Sequence, residues 1–388
     1  MSVLEPDETA TLIHTRRDLH RHPELAFEEH RTAGIIAERL RQAGYQVQTG
    51  IAETGVVGRL TGETGTGPTL LLRADMDALP IPEECTHDFA STQPGTMHAC
   101  GHDAHVAIGL AVAERLARTR AEWGGTVRYV FQPAEEISRG ASQMVREGVL
   151  NGVDAALGLH IWLGLPSGVV GVVPGPLMAS ASEWEITIQG RGGHGAIPDE
   201  ALDAVLVGSQ LVVALQGIVS HTVSPLDSAV LSVGAFHAGE AYNVIADTAR
   251  LRGTLRAFDP ALVAELPRRL EQVVAGVCAA FGASYQLRFE PGTPPTVNDP
   301  AIAEAVRQAA VEIVGPDRVR TDPAVRTMAA EDFGEILQRV PGCYFFVGAR
   351  NEASGAIHPH HSPHFNLCED ALPVAVRVLE RAARRVLS

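Results

Sequence analysis

Lysine occurs nowhere in the 388-residue chain, so all 31 basic residues are arginine. Its absence excludes Schiff-base chemistry and lysine nucleophiles. Positive charge is in deficit overall. The formal net charge of −15 argues against nucleic acid as a partner, because phosphate recognition needs concentrated positive charge. Cysteines are few, odd in number and scattered (Cys85, Cys100, Cys278, Cys343, Cys368), with no Cys-x-x-Cys pair. That pattern fits neither a disulfide framework nor the usual structural zinc site. No run reaches the roughly 18 apolar residues of a bilayer span, so no membrane association is expected. The opening residues carry Glu5, Pro6, Asp7 and Glu8 where a secretory signal would be positive and then apolar. A cytoplasmic location is the corresponding expectation.

What is present fits a two-domain globular protein. The chain is long for a single compact core, and its 45% hydrophobic and 20% charged content is ordinary for a soluble protein. The first segment alternates helical runs such as RTAGIIAERLRQAG with apolar runs such as TLLLRADMD, TVRYVFQPAEE and DAALGLHIW. Strands alternating with helices predict an α/β sheet buried on both faces. The middle reads WEITIQG, a helix, SAVLSVGAF, ARLRGTLRAF, a second helix and SYQLRFE. This β-α-β-β-α-β order is that of a small separate domain. The proline-rich stretch 291–300 leads back to a helix, CYFFVGA and a closing helix. The expected division is an outer domain of 1–180 and 294–388, with residues 181–293 inserted.

Polar groups suited to metal chemistry collect where the outer strands are expected to end. Asp75 and Asp77 close TLLLRADMD, Glu135 and Glu136 close TVRYVFQPAEE, and His160 closes DAALGLH. CYFFVGA feeds the loop HPHHSPHF, and MHACGHDAH adds His98, Cys100, His102, Asp103 and His105 ahead of a helix. In open α/β sheets, ligands bind outside the carboxyl ends of the strands. Thiolate, imidazole and carboxylate together suit zinc, manganese, cobalt or nickel rather than calcium or magnesium. The adjacent Glu135 and Glu136 can divide the labour: one binds metal while its neighbour moves protons. Which histidine of the HPHHSPHF loop takes part stays open on these grounds.

The motifs RRDLHRHPELAFEE, RADMDALP, MHACGHDAH, QPAEE, ALGLH, GRGGHGAIPD, AEDF and HSPHF follow the order seen in the M20 metallopeptidase superfamily. The chain most resembles the branch of hippurate hydrolases, auxin-conjugate hydrolases and N-acyl-amino-acid deacylases. The resemblance implies an α/β catalytic domain with a mixed central sheet flanked by helices, and an inserted ferredoxin-like α+β lid domain that dimerises. It implies two divalent metal ions, manganese or zinc first and cobalt or nickel as alternatives, held by Cys100, His102, Glu136, His160 and His361. Glu135 would be the general base and acid, and Asp77 would orient the site. His194 would reach a partner's site to stabilise an oxyanion, and Asn243 and Arg256 would hold a substrate carboxylate. The implied substrate is a small N-acylated amino acid and the implied assembly a homodimer, with a homotetramer as the larger alternative. A dipeptidase or carboxypeptidase of the same superfamily, or a non-catalytic metal-binding relative, are the rival readings. Asp75 stands where other branches carry a metal-binding histidine, and Asp199 and Ala246 depart from the family's usual histidine and proline.

Overall fold

A computed structural model describes residues 4–388. They divide into two compact units. One comprises the chain through Leu177 together with Val297–Arg326 and Asp332–Ser388; the other comprises Met178–Thr296 and Thr327–Glu331.

An eight-stranded mixed sheet organises the first unit. Across it the strands run Gln46–Ile51, Gly55–Thr61, Thr126–Gln132, Thr69–Asp75, Ala155–Pro166, Gly342–Arg350, Val170–Gly171 and Val319–Arg320. The four long strands from Thr126–Gln132 to Gly342–Arg350 are mutually parallel, so their carboxyl ends open on one edge. Leu70, Leu71 and Leu72 are all fully buried, which accounts for an apolar run without alternation. Burying each leucine is worth about 1.5–3 kcal/mol. Helices His102–Arg118 and Ala371–Leu387 pack on this sheet and on each other, sharing a core with Phe131, Leu157 and Phe345.

The second unit has its own sheet and core. Its strands lie in the order Ala229–Ala238, Thr248–Ala257, Ser182–Gln189, Ser284–Pro291, all antiparallel. Helices Ala204–Thr222 and Pro260–Phe281 pack together and on the sheet, over Trp184, Ile186, Leu251 and Leu270. The Asp203 side chain caps the first helix by accepting the Val205 and Leu206 N–H groups. Gly282, at φ 75°, ends the second.

The helix Ala204–Thr222 is long and apolar enough, by length and composition, to cross a membrane. In the fold its Val207, Leu211, Leu215 and Ile218 are buried in the core of the second unit.

Candidate metal centre

The turn that follows the strand Thr126–Gln132 presents the two glutamates. Pro133 cannot donate to a further ladder, and Ala134 adopts φ 55°. Three successive backbone N–H groups of this turn are then held by buried carboxylates. Glu29 Oε1 accepts from Ala134 at 3.0 Å, Asp77 Oδ1 from Glu135 at 3.0 Å, and Asp77 Oδ2 from Glu136 at 3.0 Å. Glu29 Oε2 also accepts the Thr54 hydroxyl at 2.5 Å. Glu29 has no part in the sequence reading, although it lies in the motif HRHPELAFEE; a lone glutamate there carries no sign of a backbone partner 105 residues away.

Hydrogen bonds fix which nitrogen each imidazole turns toward the cluster. His102 Nδ1 donates to the Asp77 carbonyl at 2.9 Å, and His160 Nδ1 donates to the Ile161 carbonyl at 2.7 Å. Both therefore turn Nε2 toward the cluster, the orientation usual for metal-binding histidines. His105 is committed otherwise. Its Nε2 accepts the Ile161 N–H at 2.9 Å, and its Nδ1 donates to Asp75 at 2.5 Å. His360 likewise accepts the Leu163 N–H on Nε2 at 3.2 Å and turns Nδ1 toward Cys100 Sγ at 3.9 Å. Its proton thus faces the sulfur. Asp75 is also locked by Arg73 at 2.5 Å, and Arg73 in turn binds Asp332 at 2.9 Å and Gln132 at 2.9 Å.

The donor atoms of Cys100, His102 and His160 lie within 4.8 Å of one another, as do those of Cys100, Glu136 and His361, and those of His102, Glu135 and Glu136. Cys100 Sγ is 3.6 Å from His160 Nε2, and His361 Nε2 is 3.3 Å from Glu136 Oε2. His102 Nε2 and Glu136 Oε1, 3.8 Å apart, are both buried without a hydrogen bond. Burial pushes the Glu136 carboxyl up to about 7 and raises the Cys100 thiol well above its ordinary value, with Glu136 adding to the latter. Burial also lowers His160, reinforced by His105. For His102 burial opposes the charged form, but Asp75 and Asp77 outweigh it and raise the group well above 6.5. A desolvated cluster of thiol and carboxyl groups with unsatisfied inward-facing atoms is what divalent cations would stabilise. Two triads that share Cys100 fit two such ions.

The structure thus brings Cys100, His102, Glu135, Glu136, His160 and His361 together, with Asp77 behind them. His160 is not a strand terminus as the sequence implies. Its strand continues to Pro166 because pairing with Gly342–Arg350 persists, with Phe346 opposite His160. The loop histidines separate clearly: His364 pairs with Glu84 at 3.2 Å and lies with its ring tilted 51° to that of His358, while His361 takes φ 65° and donates its N–H to the Ala99 carbonyl at 2.8 Å.

His194, Asn243 and Arg256 belong to the second unit. A two-stranded bridge pairs His194 with Val244, and the Gly195 N–H reaches the Asn243 carbonyl at 2.8 Å. His194 and Asn243 are thus neighbours and both exposed. Arg256 is half-buried and donates to the Met328 carbonyl at 3.0 Å.

The family model described as Peptidase family M20/M25/M40 matches residues 71–385. The chain is 45% identical over 294 residues to the N-acyl-L-amino acid amidohydrolase of Geobacillus stearothermophilus, covering 75% of this chain and 79% of that protein. It is 39% identical over 365 residues to thermostable carboxypeptidase 1 of Saccharolobus solfataricus, covering 93% and 91%. Among solved structures, the Bacillus subtilis YXEP protein, a dinuclear metal binding peptidase from the M20 family, gives a TM-score of 0.86 at 36% identity and covers 99% of both chains.

Proposed function

The chain belongs to the M20/M25/M40 peptidase family, as a metal-dependent amide hydrolase of its amidohydrolase branch, and from that premise we propose that it removes the acyl group from a small N-acylated amino acid. The observation that carries the reading is the turn in which Asp77 grips the N–H groups of both Glu135 and Glu136. It sets Glu136 against His361 at 3.3 Å and Glu135 within 3.9 Å of His102 Nε2, which supports reading Glu136 as a cation ligand and Glu135 as the carrier of protons.

In this reading Cys100, His102, Glu136, His160 and His361 hold two divalent ions, manganese or zinc. Bound there, such ions supply Lewis acidity and lower the pKa of water toward roughly 7. Glu135 takes the proton of the attacking water on its carboxylate and returns it to the departing nitrogen. Asp77 keeps Glu135, Glu136 and His102 in register. His194 is suited to stabilising the developing oxyanion: its Nδ1 accepts the Ala196 N–H at 3.1 Å, so the neutral ring carries its proton on Nε2 as a donor. It would act in the site of a partner chain within a homodimer. Asn243 and Arg256 would receive the free carboxylate of the amino acid, Arg256 through the donors not taken by Met328. The amidohydrolase relative supports an acyl-amino-acid substrate, whereas the carboxypeptidase relative favours a peptide as the second reading. A cytoplasmic site of action completes the proposal.

The deciding experiment is a hydrolysis screen on protein reconstituted with manganese, zinc, cobalt or nickel. Acetyl, benzoyl, indoleacetyl and long-chain acyl amino acids are compared with dipeptides. Faster turnover of one acyl series is expected; preference for dipeptides would replace the proposal by the peptidase reading.

A further inference from the structure

We propose that His20, Glu83 and His87 form a third divalent-cation site, of zinc type, outside the Cys100 cluster. His20 lies in the last turn of helix Pro6–Arg21, and Glu83 and His87 lie in the loop that connects Asp77 to helix His102–Arg118.

Their donor atoms converge. His20 Nε2 and His87 Nε2 each stand 3.2 Å from Glu83 Oε1, and the three ligand atoms lie within 4.8 Å of one another. Zinc bound tetrahedrally at about 2.0–2.1 Å separates its ligand atoms by about 3.3 Å. The spacing found is therefore close to that of a preformed coordination set. His87 supplies a second, independent sign. Its Nδ1 and Nε2 are both buried without a hydrogen bond, although stacking on Phe89 at 3.8 Å and 12° fixes the ring. Buried polar atoms left in this state cost free energy that a cation on Nε2 would partly recover.

The surroundings orient the other two ligands as metal sites do. Asp103 Oδ2 lies 2.8 Å from His20 Nδ1, which directs Nε2 at Glu83. Glu83 Oε2 accepts the Ser91 N–H at 2.6 Å, which leaves Oε1 for the cation. Arg16 is the opposing charge, 3.4 Å from His20 Nδ1. It is matched by Asp103 at 2.8 Å and by Glu369 at 3.4 Å, which Arg17 shares. Counting Glu83, three carboxylates face two guanidiniums and His20, so a cation on His20 Nε2 would stand in for the proton that faces Glu83. A plain ion pair, with His20 as an imidazolium between Asp103 and Glu83, accounts for two of these residues; it leaves His87 Nε2 3.2 Å from the same Glu83 oxygen without an aligned hydrogen bond. Two imidazoles and one carboxylate leave a fourth position open, the pattern of exchangeable rather than closed zinc sites. Occupancy would tie the first helix to the loop that delivers Cys100 and His102.

The inference does not depend on the amide-hydrolase mechanism, and its test is a difference between two proteins. Full-length wild type and His87→Ala are saturated with Zn²⁺, freed of excess by gel filtration and assayed for zinc per chain by mass spectrometry. His87→Ala is expected to carry one equivalent fewer than wild type, whatever number the Cys100 cluster holds. A Cys100→Ala/Glu136→Ala protein is expected to retain the equivalent that His87→Ala loses. With Co²⁺, the lost equivalent should leave any thiolate-to-cobalt absorption unchanged, because no sulfur belongs to this site. Equal stoichiometry in wild type and a folded His87→Ala protein would overturn the proposal; a His87→Leu variant, which refills the stacking volume on Phe89, repeats the measurement should the alanine protein not fold.

Discussion

Asp77 and Glu136 are joined through the backbone: Asp77 Oδ2 accepts the Glu136 N–H at 3.0 Å. The other oxygen holds Glu135 in the same way, and the Asp77 carbonyl receives the His102 proton. One residue therefore registers Glu135, Glu136 and the His102 imidazole against each other. An asparagine in its place keeps the volume but turns an N–H₂ group toward one of the two backbone donors.

Asp77→Asn is accordingly expected to lower kcat/KM and metal affinity by about 10–100-fold, the usual cost of losing a group that orients metal ligands. Steady-state kinetics and chelator competition on the same preparations check both arms. Unchanged metal affinity together with unchanged kcat would remove Asp77 from the positioning role.

Glu135→Gln keeps the size and hydrogen-bonding capacity of the side chain and deletes its basicity. We expect kcat to fall by about 10²–10⁴-fold, the range for loss of a general base, while the number of metal ions per chain stays that of wild type. Full activity in this variant would move proton transfer to another group.

The visibility of this site in the sequence differs from residue to residue. An apolar run that stops at a carboxylate, as TLLLRAD and TVRYVFQPAEE do, shows both a buried parallel strand and the edge on which its polar end lies. The β-α-β-β-α-β order of the second unit is visible for the same reason, since its strands and helices differ in hydrophobic period. His160 is harder to place, because the strand that carries it goes on for six residues, held by partners remote in sequence. Nor does composition separate His360 from His361. The Leu163 N–H and a left-handed φ do that, and both are products of the folded loop. Glu29 is the extreme case: it receives the Ala134 N–H and the Thr54 hydroxyl, and no spacing rule encodes such contacts.

Acid stability follows from Asp103. It is fully buried against Arg16 and His20, and despite the cost of burial those charges hold its carboxyl well below the usual carboxylate range. A carboxylate depressed on folding contributes stability that is complete above its unfolded pKa of about 3.9 and is lost as pH falls toward the folded value. Asp103→Asn leaves Arg16 buried with less compensation and should cost about 3–5 kcal/mol at pH 7. Denaturant melts of chelated wild type and variant at pH 7, 5, 4 and 3 should show that gap holding to about pH 4 and narrowing below it. A gap that widens on acidification would contradict the assignment.

Whether His194 serves its own chain or a partner's can be decided by mixing two disabled proteins. His194→Ala should lose about 10²–10³-fold in kcat, as expected for one oxyanion donor, with metal content unchanged. Glu135→Gln is disabled for a different reason and keeps its histidine. In a mixed dimer that shares the histidine across chains, the His194→Ala chain retains Glu135 and receives the intact His194 of the Glu135→Gln chain. One complete site is thereby rebuilt, and the other lacks both groups. Co-refolding or co-expressing the two variants should then recover activity approaching one wild-type site per mixed dimer, in proportion to the mixed dimers formed. If the histidine acts within its own chain, every site in the mixture still lacks one group. The mixture would then be no more active than the sum of its parts.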